Sequence, residues 1–96
     1  MKPSIALEQK RNAVRDATKR FRTCNPRVFG SVLHGDDNES SDLDLLVDPL
    51  PGTTLFDLGG LQVELEELLG VRVDLLTPGD LSPKFRDQVL AEASPI

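Results

Sequence analysis

Aspartates fall on alternate positions in the stretch SDLDLLVD, residues 41–48. Side chains of an extended chain alternate, so Asp42, Asp44, Leu46 and Asp48 share one face while Leu43, Leu45 and Val47 share the other. Two like-charged carboxylates held side by side are unfavourable unless water solvates them or a cation lies between them. The pattern therefore has three readings: a wet strand face, a calcium loop, or the metal site of an enzyme. The calcium loop fails. Asp36, Asn38, Ser40, Asp42 and Asp44 alternate as early EF-hand ligands do, but Ser41 stands where the sharp turn wants glycine, and Val47 where a bidentate glutamate is required. Taken by itself, D-x-D reads as a solvated surface.

Two further features favour a metal site. Gly30-Ser31 stands where an apolar strand, RVFG, passes into a turn of helix, SVLHG. Glycine allows a ligand close to the backbone, the start of a helix offers free N–H groups to a phosphate, and Ser31 adds a hydroxyl. The second feature is VRVDLLTP, residues 71–78. Val71, Val73 and Leu75 would face the core, which puts Arg72 and Asp74 on the other side. If this strand pairs beside SDLDLLVD, Asp74 joins Asp42 and Asp44 as a third carboxylate. Three carboxylates below a phosphate-holding turn suit two-metal phosphoryl chemistry, in which hard Mg²⁺ ions take oxygen ligands and stabilise the attacking and leaving oxygens.

The elements that position these residues follow from periodicity and breakers. Pro3-Ser4 opens a helix, with Ser4 as its expected N-cap, and Leu7, Val14, Ala17 and Phe21 recur at helical spacing. TCNPR ends it at Pro26. DDNESS is a polar loop, in which Asp36, Asp37 and Glu39 read as surface; Asp48 reads as a strand-end surface charge. Thr54 and Asp57 have the spacing of a capping box. Leu58, Leu61, Leu65 and Leu68 follow as an apolar face, and Gly70 is the C-cap. Gly59-Gly60 inside that helix points to close packing, on the sheet, or else to a later helix start. Ser82-Pro83 begins a last short helix whose expected inner face is Phe85, Val89 and Ala93. The predicted order is α-β-α-β-α-β-α, an α/β (α+β) chain with a small mixed sheet flanked by helices.

Length and composition narrow the function classes. Ninety-six residues fit one domain spanning 1–96, with no room for a separate substrate domain. No apolar run approaches the length of a membrane span, and the charged N-terminal stretch lacks a signal-peptide core. The single Cys24 cannot form an internal disulfide and reads as structural, so the expected location is cytoplasmic. Residues 1–27 carry eight bases against two acids, and residues 28–96 carry three against fourteen, giving the net charge of −5. A basic first helix beside an acidic body suits a solvated face, an anionic ligand or an acidic partner. No aromatic platform accompanies it, so direct nucleic-acid binding is not expected.

The pattern Gly30-Ser31, ten residues, then Asp42-Leu43-Asp44 resembles the signature of the DNA polymerase beta nucleotidyltransferase superfamily. The flanks RVFGS, SDLDLLVD, LEELLG and VDLLTP are similar to the minimal nucleotidyltransferases, the MntA-like antitoxins. The resemblance implies a mixed-sheet core and Mg²⁺-dependent transfer of AMP from ATP. It implies that Asp42 and Asp44 bind metals and nucleotide, that Asp74 completes the metal and catalytic set and activates an acceptor hydroxyl, and that Gly30 and Ser31 hold the triphosphate. It further implies a HEPN-type toxin ribonuclease as partner, silenced by adenylylation of a tyrosine. Neutralisation by binding alone, or transfer to a small-molecule or RNA acceptor, are the alternatives. The small size supports a partner that brings the acceptor. One departure is His34, where many relatives carry arginine before the second glycine of the turn; a neutral imidazole is a weaker phosphate contact.

Overall fold

The computed structural model describes residues 1–96. The sequence from Pro3 to Arg20 forms two helices, α1 (Pro3–Gln9) and α2 (Arg11–Arg20), broken at Lys10. No proline or glycine causes this break. Its partner is distant: the helix α4 (Leu55–Leu69) has no basic residue in its last turn, and Lys10 Nζ donates to the Leu68 carbonyl there at 2.9 Å. A cation at a helix C-terminus satisfies free carbonyls and opposes the dipole. Ser4 is not the N-cap of α1. Lys2 holds that position, and the Ser4 N–H donates to Asp37 Oδ2 at 2.9 Å.

Strand β1 (Thr23–Phe29) begins earlier than the sequence suggests, because its ladder is interrupted between Cys24 and Arg27 and so accommodates Pro26 at a bulge. The one-turn helix α3 (Gly30–His34) follows at once. Strand β2 (Leu43–Pro49) runs antiparallel to β1 and parallel to β3 (Val73–Leu76). A 3-10 turn at Pro78–Asp80 leads to α5 (Pro83–Glu92) and to a two-residue strand β4 (Ser94–Pro95), which the sequence did not announce. The sheet order is β3-β2-β1-β4. The mixed sheet flanked by helices agrees with the fold class expected above.

One face of the sheet makes the core. Leu43, Leu45 and Val47 of β2, Val28 of β1 and Val73 of β3 pack with Ala6, Leu7, Val14 and Ala17 of the first helices and Leu61, Leu65 and Leu69 of α4. Burying such side chains is the main favourable contribution to folding. Helix α4 starts at the expected Thr54–Asp57 capping box, and Gly70 ends it. The double glycine is explained by Gly60: a Cβ there would lie 2.8 Å from Phe21 Cε1, whereas one at Gly59 would meet nothing within 4 Å. The close packing is against the end of α2, not against the sheet. Helix α5 departs from expectation. None of its residues is buried, and Phe85 is 53% exposed. No helix is long and apolar enough to cross a membrane.

Candidate active site

Strand register brings the chemistry-bearing residues together. Phe29 pairs with Asp44 across β1 and β2, and Asp44 pairs with Asp74 across β2 and β3. Paired residues project to the same side of a sheet. Phe29, Asp44 and Asp74 therefore form one row on the face opposite the core. Asp42 lies immediately before β2, two residues from Asp44 and of the same parity. Asp42 and Asp74 are exposed, and Asp44 is half-buried. This face is not uniformly wet, however. Leu46, of the same parity as Asp44, is fully buried, and the 3-10 turn packs against β2.

Gly30 is the point of closest approach. Its φ is +73°, and a Cβ built on it would collide with Asp44 Oδ2 and lie 3.0 Å from Asp44 Cγ. Only glycine meets both the backbone and the space requirement. The bare α-carbon lets the Asp44 carboxylate rest against the start of α3, where Ser31 is the next residue. The α3 turn is closed by the Asp36 N–H donating to the Ser31 carbonyl at 2.9 Å.

The electrostatics of the row are strained. Burial, then repulsion from Asp74, then repulsion from Asp42, pushes the Asp44 carboxyl up to about 6. Asp42 is turned outward, accepting from Arg72 Nε at 3.0 Å, in an ion pair open to water at both ends. No three Asp, Glu, His or Cys side chains converge as a closed metal cage. Asp42 pairs with Arg72 instead, which offsets part of its like-charge repulsion with Asp44. The donor set nevertheless fits Mg²⁺: it is all carboxylate oxygen, on one face, around a desolvated acid whose charge lacks a counter-ion.

Other acids of the stretch are engaged elsewhere. Asp48 accepts from Arg27 Nη2 at 2.5 Å and from Asn25 Nδ2 at 3.0 Å. Asp37 is not loose surface. It is buried against α1, and the Ser4 backbone hydrogen bond holds its carboxyl below the usual carboxylate range. His34 Nε2 stands 3.4 Å from Glu92 Oε2, linking α3 to α5. The sequence reading named Asp42, Asp44, Asp74, Gly30 and Ser31, and all five lie at the same end of β2. It missed Phe29 as their neighbour and Arg72 as Asp42's partner. The parity of Arg72 with Asp74 was a legible signal; the Phe29–Asp44 register was not.

The nucleotidyltransferase domain family model matches residues 9–95. A candidate protein adenylyltransferase of Methanocaldococcus jannaschii is 44% identical over 66 residues, covering 69% of this chain and 71% of that protein. The protein adenylyltransferase MntA of Thermococcus cleftensis is 37% identical over 78 residues, covering 81% of this chain and 79% of that protein. A solved structure of a candidate minimal nucleotidyltransferase superposes with a TM-score of 0.87 at 46% identity, covering 97% of this chain and 95% of that one. A toxin–antitoxin crystal structure with AMP-PNP shares the fold, at a TM-score of 0.73 and 21% identity over 88% of this chain and 69% of that one. The chain belongs to the nucleotidyltransferase domain family and is a minimal nucleotidyltransferase of the MntA-like kind.

Proposed function

We propose that this chain is a Mg²⁺-dependent protein adenylyltransferase antitoxin that transfers AMP from ATP to a tyrosine hydroxyl of a HEPN-type toxin ribonuclease. The observation that carries this reading is the Asp44 carboxylate, held against Gly30 and facing the charges of Asp42 and Asp74. A site that stores like charge in this way favours a divalent cation and the polyphosphate that accompanies it. Family membership and the likeness to MntA support the reaction class; the toxin–antitoxin fold neighbour supports the kind of partner.

In this reading Asp42, Asp44 and Asp74 hold the metal ions, which would supply Lewis-acid stabilisation of the phosphoryl charge. Gly30 lets the triphosphate approach the backbone, and Ser31 offers its hydroxyl and N–H to phosphate oxygens. Asp74, exposed at the β3 side of the row, takes the proton of the acceptor hydroxyl. The acceptor oxygen forms a bond to the α-phosphorus, the bond to the bridging oxygen breaks, and pyrophosphate leaves. Orientation and charge stabilisation supply most of the rate in such transfers.

The test is transfer of label from α-labelled ATP to the cognate toxin. Asp42→Asn and Asp44→Asn are each expected to abolish it. Labelling that persists in the double variant would refute the site assignment. Full neutralisation of the toxin by an Asp44→Asn protein would instead favour inhibition by binding alone.

A further inference from the structure

A second feature of the same sheet face is a cavity of about 300 Å³ between the β1–α3 junction and α5. Phe29, Gly30 and His34 line it from the β1–α3 side, and Phe85, Gln88, Val89 and Glu92 line it from α5. We propose that this cavity is the nucleoside subsite, and that it takes the adenine ring of ATP between Phe29 and Phe85. The proposal rests on the nucleotidyltransferase reading and adds the residues that would recognise the base.

Position is the first argument. The cavity shares Gly30 with the phosphate-holding turn. It shares Phe29 with the carboxylate row, since Phe29 pairs with Asp44. Asp74 stands at the far end of that row, on β3, beyond β2 in the order β3-β2-β1-β4. The nucleotide flank and the acceptor flank thus fall on opposite sides of Asp44.

Composition is the second. Small-molecule sites are concave and mostly apolar, with a few polar groups that fix orientation. Helix α5 presents Phe85 and Val89 toward space that the fold leaves unfilled. Phe85 is 53% exposed, although a large aromatic side chain normally buries itself. Its ring, with Lys84 Nζ 5.6 Å from the centroid, stays half exposed beside the candidate phosphate site, and stacking a base on such a platform is worth about tenfold or more in affinity.

The polar groups suit adenine. Gln88 Nε2 lies 3.4 Å from Glu92 Oε1, a long contact that leaves the Gln88 amide able to bond elsewhere, while Glu92 Oε2 also stands 3.4 Å from His34 Nε2. A glutamine amide donates and accepts, and can bond an adenine edge at two points. A carboxylate only accepts, so Glu92 favours an exocyclic amine or a ribose hydroxyl. Uracil has no exocyclic amine to offer.

The test compares ligands with and without a base. Dissociation constants for ATP, UTP and inorganic tripolyphosphate are measured with Mg²⁺ on the full chain and on Phe85→Ala, Gln88→Ala and Val89→Trp. Circular dichroism checks that each variant is folded; Phe85 and Gln88 are exposed, so the fold is expected to survive their loss. Phe85→Ala should weaken ATP about tenfold and leave tripolyphosphate within about twofold. Val89→Trp, which fills the cavity, should do the same. Gln88→Ala should narrow the preference of ATP over UTP. Unchanged ATP affinity in Phe85→Ala and Val89→Trp would overturn the proposal. So would a higher KM for a protein acceptor with ATP binding intact, since the cavity would then hold the acceptor. Failure of the unmodified chain to bind either ATP or tripolyphosphate would overturn the nucleotidyltransferase reading as well, which separates the two failures.

Discussion

Replacing Asp44 with asparagine should make the protein more stable while removing its activity. The carboxyl of Asp44 is pushed up to about 6 from the ordinary 3.8, by burial first and then by Asp74 and Asp42. Ionising it in the folded state therefore costs up to about 3 kcal/mol at neutral pH, at about 1.36 kcal/mol per pKa unit. The group is only half-buried, and solvent screening brings the figure to about 1 kcal/mol. For a domain of this size that corresponds to a rise in Tm of about 4–8 °C. The sign of the pH dependence follows from the folded pKa lying above the unfolded one. The penalty is fully present above pH about 6, shrinks as pH falls through that value, and is gone below about 4. Thermal unfolding of the wild type and Asp44→Asn, in EDTA and without nucleotide, measures this directly from pH 7.5 down to 4. The variant should melt higher at pH 7.5, and the two curves should converge on acidification. Mg²⁺ with ATP should then raise the Tm of the wild type but not of the variant. A variant that is no more stable at pH 7.5, or whose advantage is independent of pH, would refute the account of strain at Asp44.

Five other substitutions probe separate parts of the molecule. Gly30→Ala should abolish both Mg²⁺-ATP binding and label transfer, since its Cβ collides with Asp44 Oδ2 in a backbone conformation that disfavours alanine; binding titrations suffice to check it. Gly59→Ala should raise stability by up to about 1 kcal/mol, because its Cβ meets nothing, whereas Gly60→Ala should lower it by about 1 kcal/mol through contact with Phe21; denaturant midpoints for the two would distinguish them. Asp37→Ala should lower Tm at neutral pH by uncapping the Ser4 N–H. The Asp37 carboxyl is held below its unfolded value, so that stabilisation is present above pH about 4 and fades as pH falls further; melting curves that stay equally separated at low pH would count against it. Arg72→Ala should change stability by less than about 0.5 kcal/mol, as its pair with Asp42 is exposed.

Much of the candidate site was legible before folding. Alternation placed Asp42 and Asp44 on one face and Leu43, Leu45 and Val47 on the other, and the same rule put Asp74 opposite the core face of its strand. Gly30-Ser31 marked the strand-to-helix turn, and Thr54, Asp57 and Gly70 marked the ends of α4. These signals are local: period, turn chemistry and capping act over a few residues, and the chain states them directly. Tertiary structure decided the rest. It broke the first helix at Lys10, where a lysine reaches the end of α4. It made Asp37 the acceptor for a helix 33 residues away in sequence, turned Asp42 to Arg72, and buried Leu46 on the side that periodicity assigned to the aspartates. It also left Phe85 open over a cavity instead of packed inward. Each of these depends on which strand lies beside which, and in what register. A one-residue slip would turn a strand's side chains to the other face without changing its local pattern, so only the assembled sheet could set Phe29, Asp44 and Asp74 in one row.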